Sequence, residues 1–396
     1  MKKTIRDIAH AIQRAQPEAS FTIRFWDGEA IEIGGSPAFV LWFKEKRALS
    51  RTLADAFMGF GESYMAGDIE VEGDLQELFR LAWSVDFANN PISLGLKVRM
   101  AVAYILNQNT FTRARKNISH HYDIGNAFYE LLLGPTMAYT CAYYHTPEDT
   151  IDQAQINKFD HICRKVMLTP GDHIADLGCG WGGLLIHAAK HYGVTGVGVS
   201  LSREQVDFAN RRIAAEGLTD KVEVQFRDYR EIEGTYDKLV TVGMMEHVGW
   251  RFIPGCFKKI SEVLKPGGLG LVHTIGNDTP HHNDPWTEKY LFPGSRVPTL
   301  TQLVENAAQA GMNVIDVENL RLHYPPTINA WLDSFNRNED RIREMFDETF
   351  VRMYRLYMAV SAVSFTHGDN RLFHVVFTNG LANDLPLTRE HLYRDR

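Results

Sequence analysis

Beyond about residue 165, apolar residues fall into short runs divided by longer stretches of helical spacing. The runs are HIADLG, VTGVGVSLS, VEVQFRDY, YDKLVTVG and LGLVHTIG, with LLIHAAKHYG and REQVDFANRRIAAEG between them. Strands that alternate with helices make βαβ units around a mostly parallel sheet. LKPGG at 264–268 reads as a helix end and turn leading into the last of these strands. NVIDVENL and LFHVVFTNG can add edge strands, and an aromatic-rich helical stretch over about 327–365 separates them. The predicted fold class is α/β, a Rossmann-like sheet with helical insertions.

The first 115 residues follow another pattern. FTIRFWDGEAIEIGG alternates like a hairpin turning at Asp27-Gly28. ISLGLKVRMAVAYILNQ then places Leu94, Val98, Ala101, Val102 and Ile105 on one helical face. Lys97, Arg99, Arg113, Arg115 and Lys116 lie on or beside this helix. It reads equally as a connector with a solvated basic side and as a contact for a membrane surface. These features predict a smaller N-terminal α+β domain over 1–115 and a catalytic domain over 116–396.

Composition narrows the function. A chain of 396 residues with 44% hydrophobic and 23% charged content suits a soluble two-domain protein. The net charge of -7 argues against nucleic acid as a partner. Its distribution is uneven: through Lys116 there are 15 Lys and Arg against 14 Asp and Glu, so the rest of the chain carries the negative excess. The N-terminal part is thus the better candidate to meet an anionic surface. Cys141, Cys163, Cys179 and Cys256 show no paired spacing, which fits a reducing compartment and argues against zinc or a disulfide framework. MKKTIRDIAHAIQRAQ lacks the apolar stretch of a secretory signal, and the longest apolar run, Met100 to Leu106, is too short to span a bilayer.

The candidate chemistry begins at ADLGCGWGG, residues 175–183. Gly178, Gly180 and Gly183 satisfy G-x-G-x-x-G, which lets a backbone approach a ligand closely at a helix N-terminus. A nicotinamide dinucleotide would also need an acid at the end of the second strand, where this chain has Ser200. Asp176 suits a ligand with an amino group, such as the amino-acid end of S-adenosylmethionine. In RDYRE, Asp228 can accept from an adenine amine and Tyr229 can stack on its ring, although Asp228 reads equally well as a turn residue.

HYDIGNAFYELLLGPTMAYTCAYY, LGCGWGG, GVSLSREQ, GMMEHVG, VHTIG and DPWTEKYLFPG occur here in one order. Together they resemble the cyclopropane-fatty-acyl-phospholipid synthases, relatives of the mycolic acid cyclopropane synthases. The resemblance covers about 116–380 and extends more loosely to GFGESYMAGDIEVEGDL. It implies a class I S-adenosylmethionine-dependent methyltransferase that adds a methylene across a cis double bond of a phospholipid acyl chain. By residue matching, the cofactor is expected to meet Tyr139, Thr140, Asp176, Gly178, Gly180, Trp181, Leu201, Gln205, Asp228 and Tyr229. The resemblance further implies a bound bicarbonate as base. It would be held by Cys141, Glu246, His273 and Tyr324 as catalytic side chains, with the backbone N–H of Ile275. A bicarbonate O–H would go to Glu246, while His273, Tyr324 and weakly Cys141 would donate to its other oxygens.

The same resemblance carries a partner and a place. It implies a phospholipid bilayer as partner, a cytoplasmic protein at the inner face of the membrane, and a homodimer. Phe292, Pro293 and Trp331 are expected along an acyl tunnel. The N-terminal domain, with Lys97, Arg99, Phe57 and Phe60, is the expected docking surface. Two departures stand out: Ser361 occupies the position of a cysteine once proposed as a nucleophile in relatives, and Met245 and Tyr144 replace bulkier aromatics. PHHND at 280–284 reads as a surface loop, and no metal is expected. Rival outcomes are a methyl- or methylene-branched acyl chain, an N-methylated small amine, and a non-catalytic lipid-binding protein.

Overall fold

A computed structural model describes residues 1–84 and 124–393. The basic helix expected around Lys97 and Arg99 and the boundary at residue 115 lie outside the described residues. Two compact units emerge, and each is built from more than one piece of chain.

The described residues of the first unit come from Met1–Asn107, Asp284–Pro293 and Ile328–Asp369. Its sheet has the order β2-β1-β3-β4, formed by β1 (Phe21–Phe25), β2 (Ala30–Ile33), β3 (Phe39–Phe43) and β4 (Ile69–Gly73). The expected hairpin is present as the antiparallel β1–β2 pair, which turns through Asp27 and Gly28. Phe21, Ile23 and Phe25 alternate inward from β1, as a half-buried strand requires. Two distant segments complete this core: Trp286, and Leu356 and Val363 of the helix Glu348–Thr366. Gly61 is needed there, because a Cβ would lie 2.5 Å from the Trp286 indole nitrogen. Arg352 donates to the Ile69 carbonyl at 2.7 Å and pairs with Glu70, so its buried charge is compensated. Phe57 and Phe60 belong to this core as well. Phe60 is buried there, and the half-buried Phe57 packs edge-on to Phe79 and Trp286.

The second unit holds the large sheet. Its strands are β5 (His173–Leu177), β6 (Thr195–Ser200), β7 (Val222–Phe226), β8 (Tyr236–Val242), β9 (Leu264–Asn277), β10 (Met312–Asn319) and β11 (Asn370–Asn379). They lie in the order β10-β11-β9-β8-β5-β6-β7. The five central runs form the parallel part, and β11 and β10 add an antiparallel margin. Successive residues point to opposite faces, and both faces are covered: Ile174 joins one core with Val240 and Leu271, Ala175 another with Leu239 and Val272. LKPGG differs from expectation in being part of β9. Its middle is looped out of the ladder, since Tyr236 pairs with Leu264 but Lys238 with Leu269. Strand order reverses at β5, and in such sheets ligands bind beyond the carboxyl ends of the strands at that point. No helix among the described residues is long and apolar enough to cross a membrane.

Candidate functional site

One cavity of the second unit sits at this reversal. Tyr139, Thr140, Asp176, Gly178, Gly180, Trp181, Leu201, Gln205, Asp228 and Tyr229 all line it. These are the ten residues that sequence matching selects, and they come from four separate stretches of chain. Asp176 is the penultimate residue of β5, and the chain then turns through Gly178 at φ 78° before the helix Gly183–Tyr192. A Cβ at Gly178 would come within 2.9 Å of the Met244 Cβ, so both space and backbone demand glycine.

The polar groups of the cavity differ in how far they are satisfied. Ser200, at the end of β6, donates to Gln205 Oε1 at 2.7 Å and so orients the Gln205 amide, the group expected on the ribose side. Asp228 is held bidentately by Arg230 and caps the turn at Tyr229–Glu231, so its turn role and its place in the cavity coexist. Trp181 donates to Asn126 Oδ1 at 2.7 Å. Tyr129 packs against both Tyr139 and Trp181, with ring centroids 5.4 and 4.9 Å away. Asp176 is buried, and its Oδ1 has no hydrogen-bond partner. Burial pushes its carboxyl up to about 7, against the pull of nearby Lys158. An unmatched carboxylate beside glycines fits a ligand that brings a cationic amine, as S-adenosylmethionine does.

The expected anion-binding residues form a second group. Cys141 is fully buried in a small cluster with Leu320 and Leu372, and Ile275 and Tyr324 pack against it. Tyr324 opens the helix Tyr324–Arg337. Glu246 lies in the short helix Met245–Val248, and its Oε1 accepts from the Ile275 N–H at 2.6 Å. That bond departs from expectation: the Ile275 N–H goes to Glu246 instead of standing open to an anion, because a buried carboxylate must be solvated by something. Glu246 Oε2 has no partner, and burial pushes this carboxyl up to about 7. His273 lies two positions before Ile275 on β9, hence on the same face. Its Nδ1 shares a 2.8 Å hydrogen bond with His374 Nε2 from β11. Burial holds both imidazoles well below their usual range. The Cys141 thiol is pushed up by burial, which makes it a packing group and weak donor rather than a thiolate.

Sequence reading missed Lys158 and His374. Lys158, on the helix Ile151–Lys165, is buried, lines the cofactor cavity and donates to Thr140 Oγ1 at 2.8 Å. His374 sits one strand away from His273, and no local pattern marks it. The PHHND segment is half-buried rather than a surface loop, with His282 against Trp250 and Asn283 bonded to Ser295. Among the described residues, His161, Glu318 and His374 bring ligand-capable atoms within 4.8 Å of one another. Lys165 already bonds that Glu318 carboxylate at 2.7 Å and supplies the charge a metal would bring.

Comparison with known proteins adds independent findings. The family described as mycolic acid cyclopropane synthetase matches residues 109–375, and a domain of unknown function matches residues 9–89. The chain is 36% identical over 383 residues to a probable fatty acid methyltransferase of Pseudomonas putida, covering 94% of this chain and 96% of that one. It is 35% identical over 361 residues to the cyclopropane-fatty-acyl-phospholipid synthase of Escherichia coli K12, covering 91% and 93%. Among solved structures, a mycolic acid cyclopropane synthase complexed with S-adenosylhomocysteine and a cationic detergent superposes with a TM-score of 0.64 at 27% identity. That match covers 67% of this chain and 98% of that one.

Proposed function

The chain belongs to the mycolic acid cyclopropane synthetase family, and we propose that it is a ring-forming member acting on phospholipid. It is an S-adenosylmethionine-dependent methyltransferase of lipid acyl chains. Its specific reaction, on this reading, converts a cis double bond of an unsaturated phospholipid chain into a cyclopropane. S-Adenosylmethionine supplies a methyl group made electrophilic by its sulfonium.

An alkene is a weak nucleophile with no proton to remove beforehand, so the protein must work by placement and exclusion of water. The glycine turn and Asp176 fix the cofactor's amino-acid end. Gln205, steadied by Ser200, takes the ribose side, and Tyr229 packs at the adenine. Attack leaves positive charge on carbon, which aromatic faces can stabilise. Closing the ring then requires removal of a proton from the transferred methyl. Glu246, His273, Tyr324 and Cys141 are the groups assigned to hold bicarbonate for that step.

The observation that carries this reading is Glu246 Oε2, a buried carboxylate oxygen with no partner beside a strand face carrying His273 and Ile275. A bicarbonate O–H matches it, whereas an anion without a proton is repelled. Methylation of an amine needs no such group. The likeness to the Pseudomonas putida fatty acid methyltransferase favours a second reading, a methyl- or methylene-branched unsaturated chain formed when the same cation loses its proton without closing the ring. Docking on the inner face of a membrane, as a homodimer, belongs to the same proposal.

The test is proton NMR of acyl chains recovered after incubation with S-adenosylmethionine and vesicles of a cis-monounsaturated phospholipid. Upfield ring protons are expected. Vinylidene or methyl-branch signals would move the assignment to the second reading, and bound cofactor with no lipid product would overturn both.

A further inference from the structure

Two charged side chains of opposite sign line the cofactor cavity, and both are almost fully buried: Lys158 and Asp176. Neither is used up. Lys158 has three N–H donors and gives one of them to a neutral acceptor, Thr140 Oγ1, rather than to Asp176. Asp176 leaves Oδ1 without a partner. The Lys158 ammonium also lies 4.5 Å from the centre of the Phe159 ring, but that face offers no anion, and a buried ion without one is costly unless something arrives to complete it. They come from different elements, Asp176 from β5 before the glycine turn and Lys158 from the helix Ile151–Lys165, and each feels the other's charge.

We infer that Lys158 is a cofactor-binding residue that takes the α-carboxylate of S-adenosylmethionine, while Asp176 takes its α-ammonium. The two act as a clamp for a zwitterion. The assignment rests on the cofactor part of the proposed function and not on the lipid product. The electrostatics agree with the geometry. Burial pushes the Lys158 ammonium down to about 7 and the Asp176 carboxyl up to about 7, and each offsets part of the other's shift. Both charges are therefore poorly stabilised until a ligand of matching, opposite charges enters. A ligand carrying only the amine would satisfy Asp176 and leave Lys158 alone.

A competing use of Lys158 is as counter-charge for an anion near Cys141, whose thiol feels the same ammonium. Ligand choice separates the two. Calorimetric titration of the full chain, without lipid, compares S-adenosylmethionine with its decarboxylated form, for wild type and for Lys158→Met. Wild type is expected to prefer the carboxylated ligand by about 10- to 100-fold, in line with a charge-assisted bond in a buried site. In Lys158→Met that preference collapses to within about twofold, through weaker binding of S-adenosylmethionine alone. Equal weakening of both ligands would make Lys158 a mere support for Thr140 and overturn the inference. So would unchanged binding of S-adenosylmethionine with a loss seen only in lipid turnover. Should the variant fail to fold, the wild-type preference still decides, because a protein indifferent to the carboxylate has no clamp for it. Failure of the lipid reading is seen separately, in the NMR product of the wild type.

Discussion

The cofactor cavity and the Cys141–Glu246 group belong to the same sheet but complete their hydrogen bonding in opposite ways. In the cavity the groups that define the ligand stand open: Asp176 Oδ1 has no partner, and Lys158 bonds only a hydroxyl. In the second group almost everything is already paired. The Ile275 N–H is bonded to Glu246 Oε1, His273 to His374, and Cys141 is packed among Leu320 and Leu372. One oxygen, Glu246 Oε2, is left over. The cavity is thus built to be completed by a charged ligand. The second group is a largely paired frame in which Glu246 Oε2 and His374 Nδ1 are the atoms left without a partner, and the proposed bicarbonate would meet the first of them.

This contrast says where substitutions should hurt most. Glu246→Gln keeps the size and the bond from Ile275 but removes the carboxylate acceptor. We expect cofactor affinity to stay within about twofold while lipid turnover falls by roughly 10²- to 10⁴-fold, the usual range for a lost acid–base function. Its residual activity should no longer respond to added bicarbonate, whereas that of the wild type should. Calorimetry together with the rate of S-adenosylhomocysteine release checks both. Unchanged turnover would end the distinction between frame and cavity. His374→Phe tests the frame one step further out. Losing the partner of His273 Nδ1 frees the ring to turn and change tautomer, so turnover should fall about 10- to 100-fold with cofactor binding intact. A parallel loss of cofactor binding would show that the two regions are not independent.

The cavity was largely legible in sequence and the frame less so, for physical reasons. The βαβ pattern places the glycine turn after β5, Gln205 in the first turn after β6 and Asp228 after β7, so each residue follows from a strand end. Ser200 in place of an acid was readable for the same reason. The frame depends on pairing between distant strands. His273 meets His374 only because β11 returns antiparallel beside β9, and nothing near either residue announces it. Lys158 was hidden differently. A lysine in INKFDHICRK reads by default as the solvated face of a helix, and only packing of that helix shows it buried. The first unit gives the same lesson on a larger scale. DPWTEKYLFPG and the helix Glu348–Thr366 follow the catalytic strands in sequence yet fill the core of the N-terminal sheet, which periodicity alone does not reveal.

The openness of the cavity also predicts how stability follows pH. Burial raises the Asp176 carboxyl from the ordinary carboxylate range to about 7. A raised carboxyl favours the folded state below its unfolded value and loses that contribution as pH climbs through about 7. Asp176→Asn removes the loss. The melting temperature of the variant should therefore gain on that of the wild type, by about a few degrees, as pH rises from 4 to 8. Saturating S-adenosylmethionine should raise the wild type most near neutral pH, since its amine compensates the ionised carboxylate. A difference that does not change with pH would mean Asp176 is already satisfied in the folded protein.

The smallest effect is expected at Ser200. Its hydroxyl donates to Gln205 Oε1 at 2.7 Å and also accepts from the Ser202 N–H at 3.2 Å, so it links the end of β6 to the start of the next helix. Ser200→Ala leaves the Gln205 amide in place but able to rotate. With the ribose placed as proposed, it then meets a donor whose orientation is no longer fixed, and the loss is one of preorganisation rather than of a contact. We expect the Michaelis constant for S-adenosylmethionine to rise about three- to tenfold at unchanged kcat, because the ribose contact is made equally in the ground and transition states. A fall in kcat instead would tie the ribose side of the cavity to the chemistry at the methyl group. The two regions would then act as one, and the contrast between an open pocket and a finished frame would fail at the cavity's own wall.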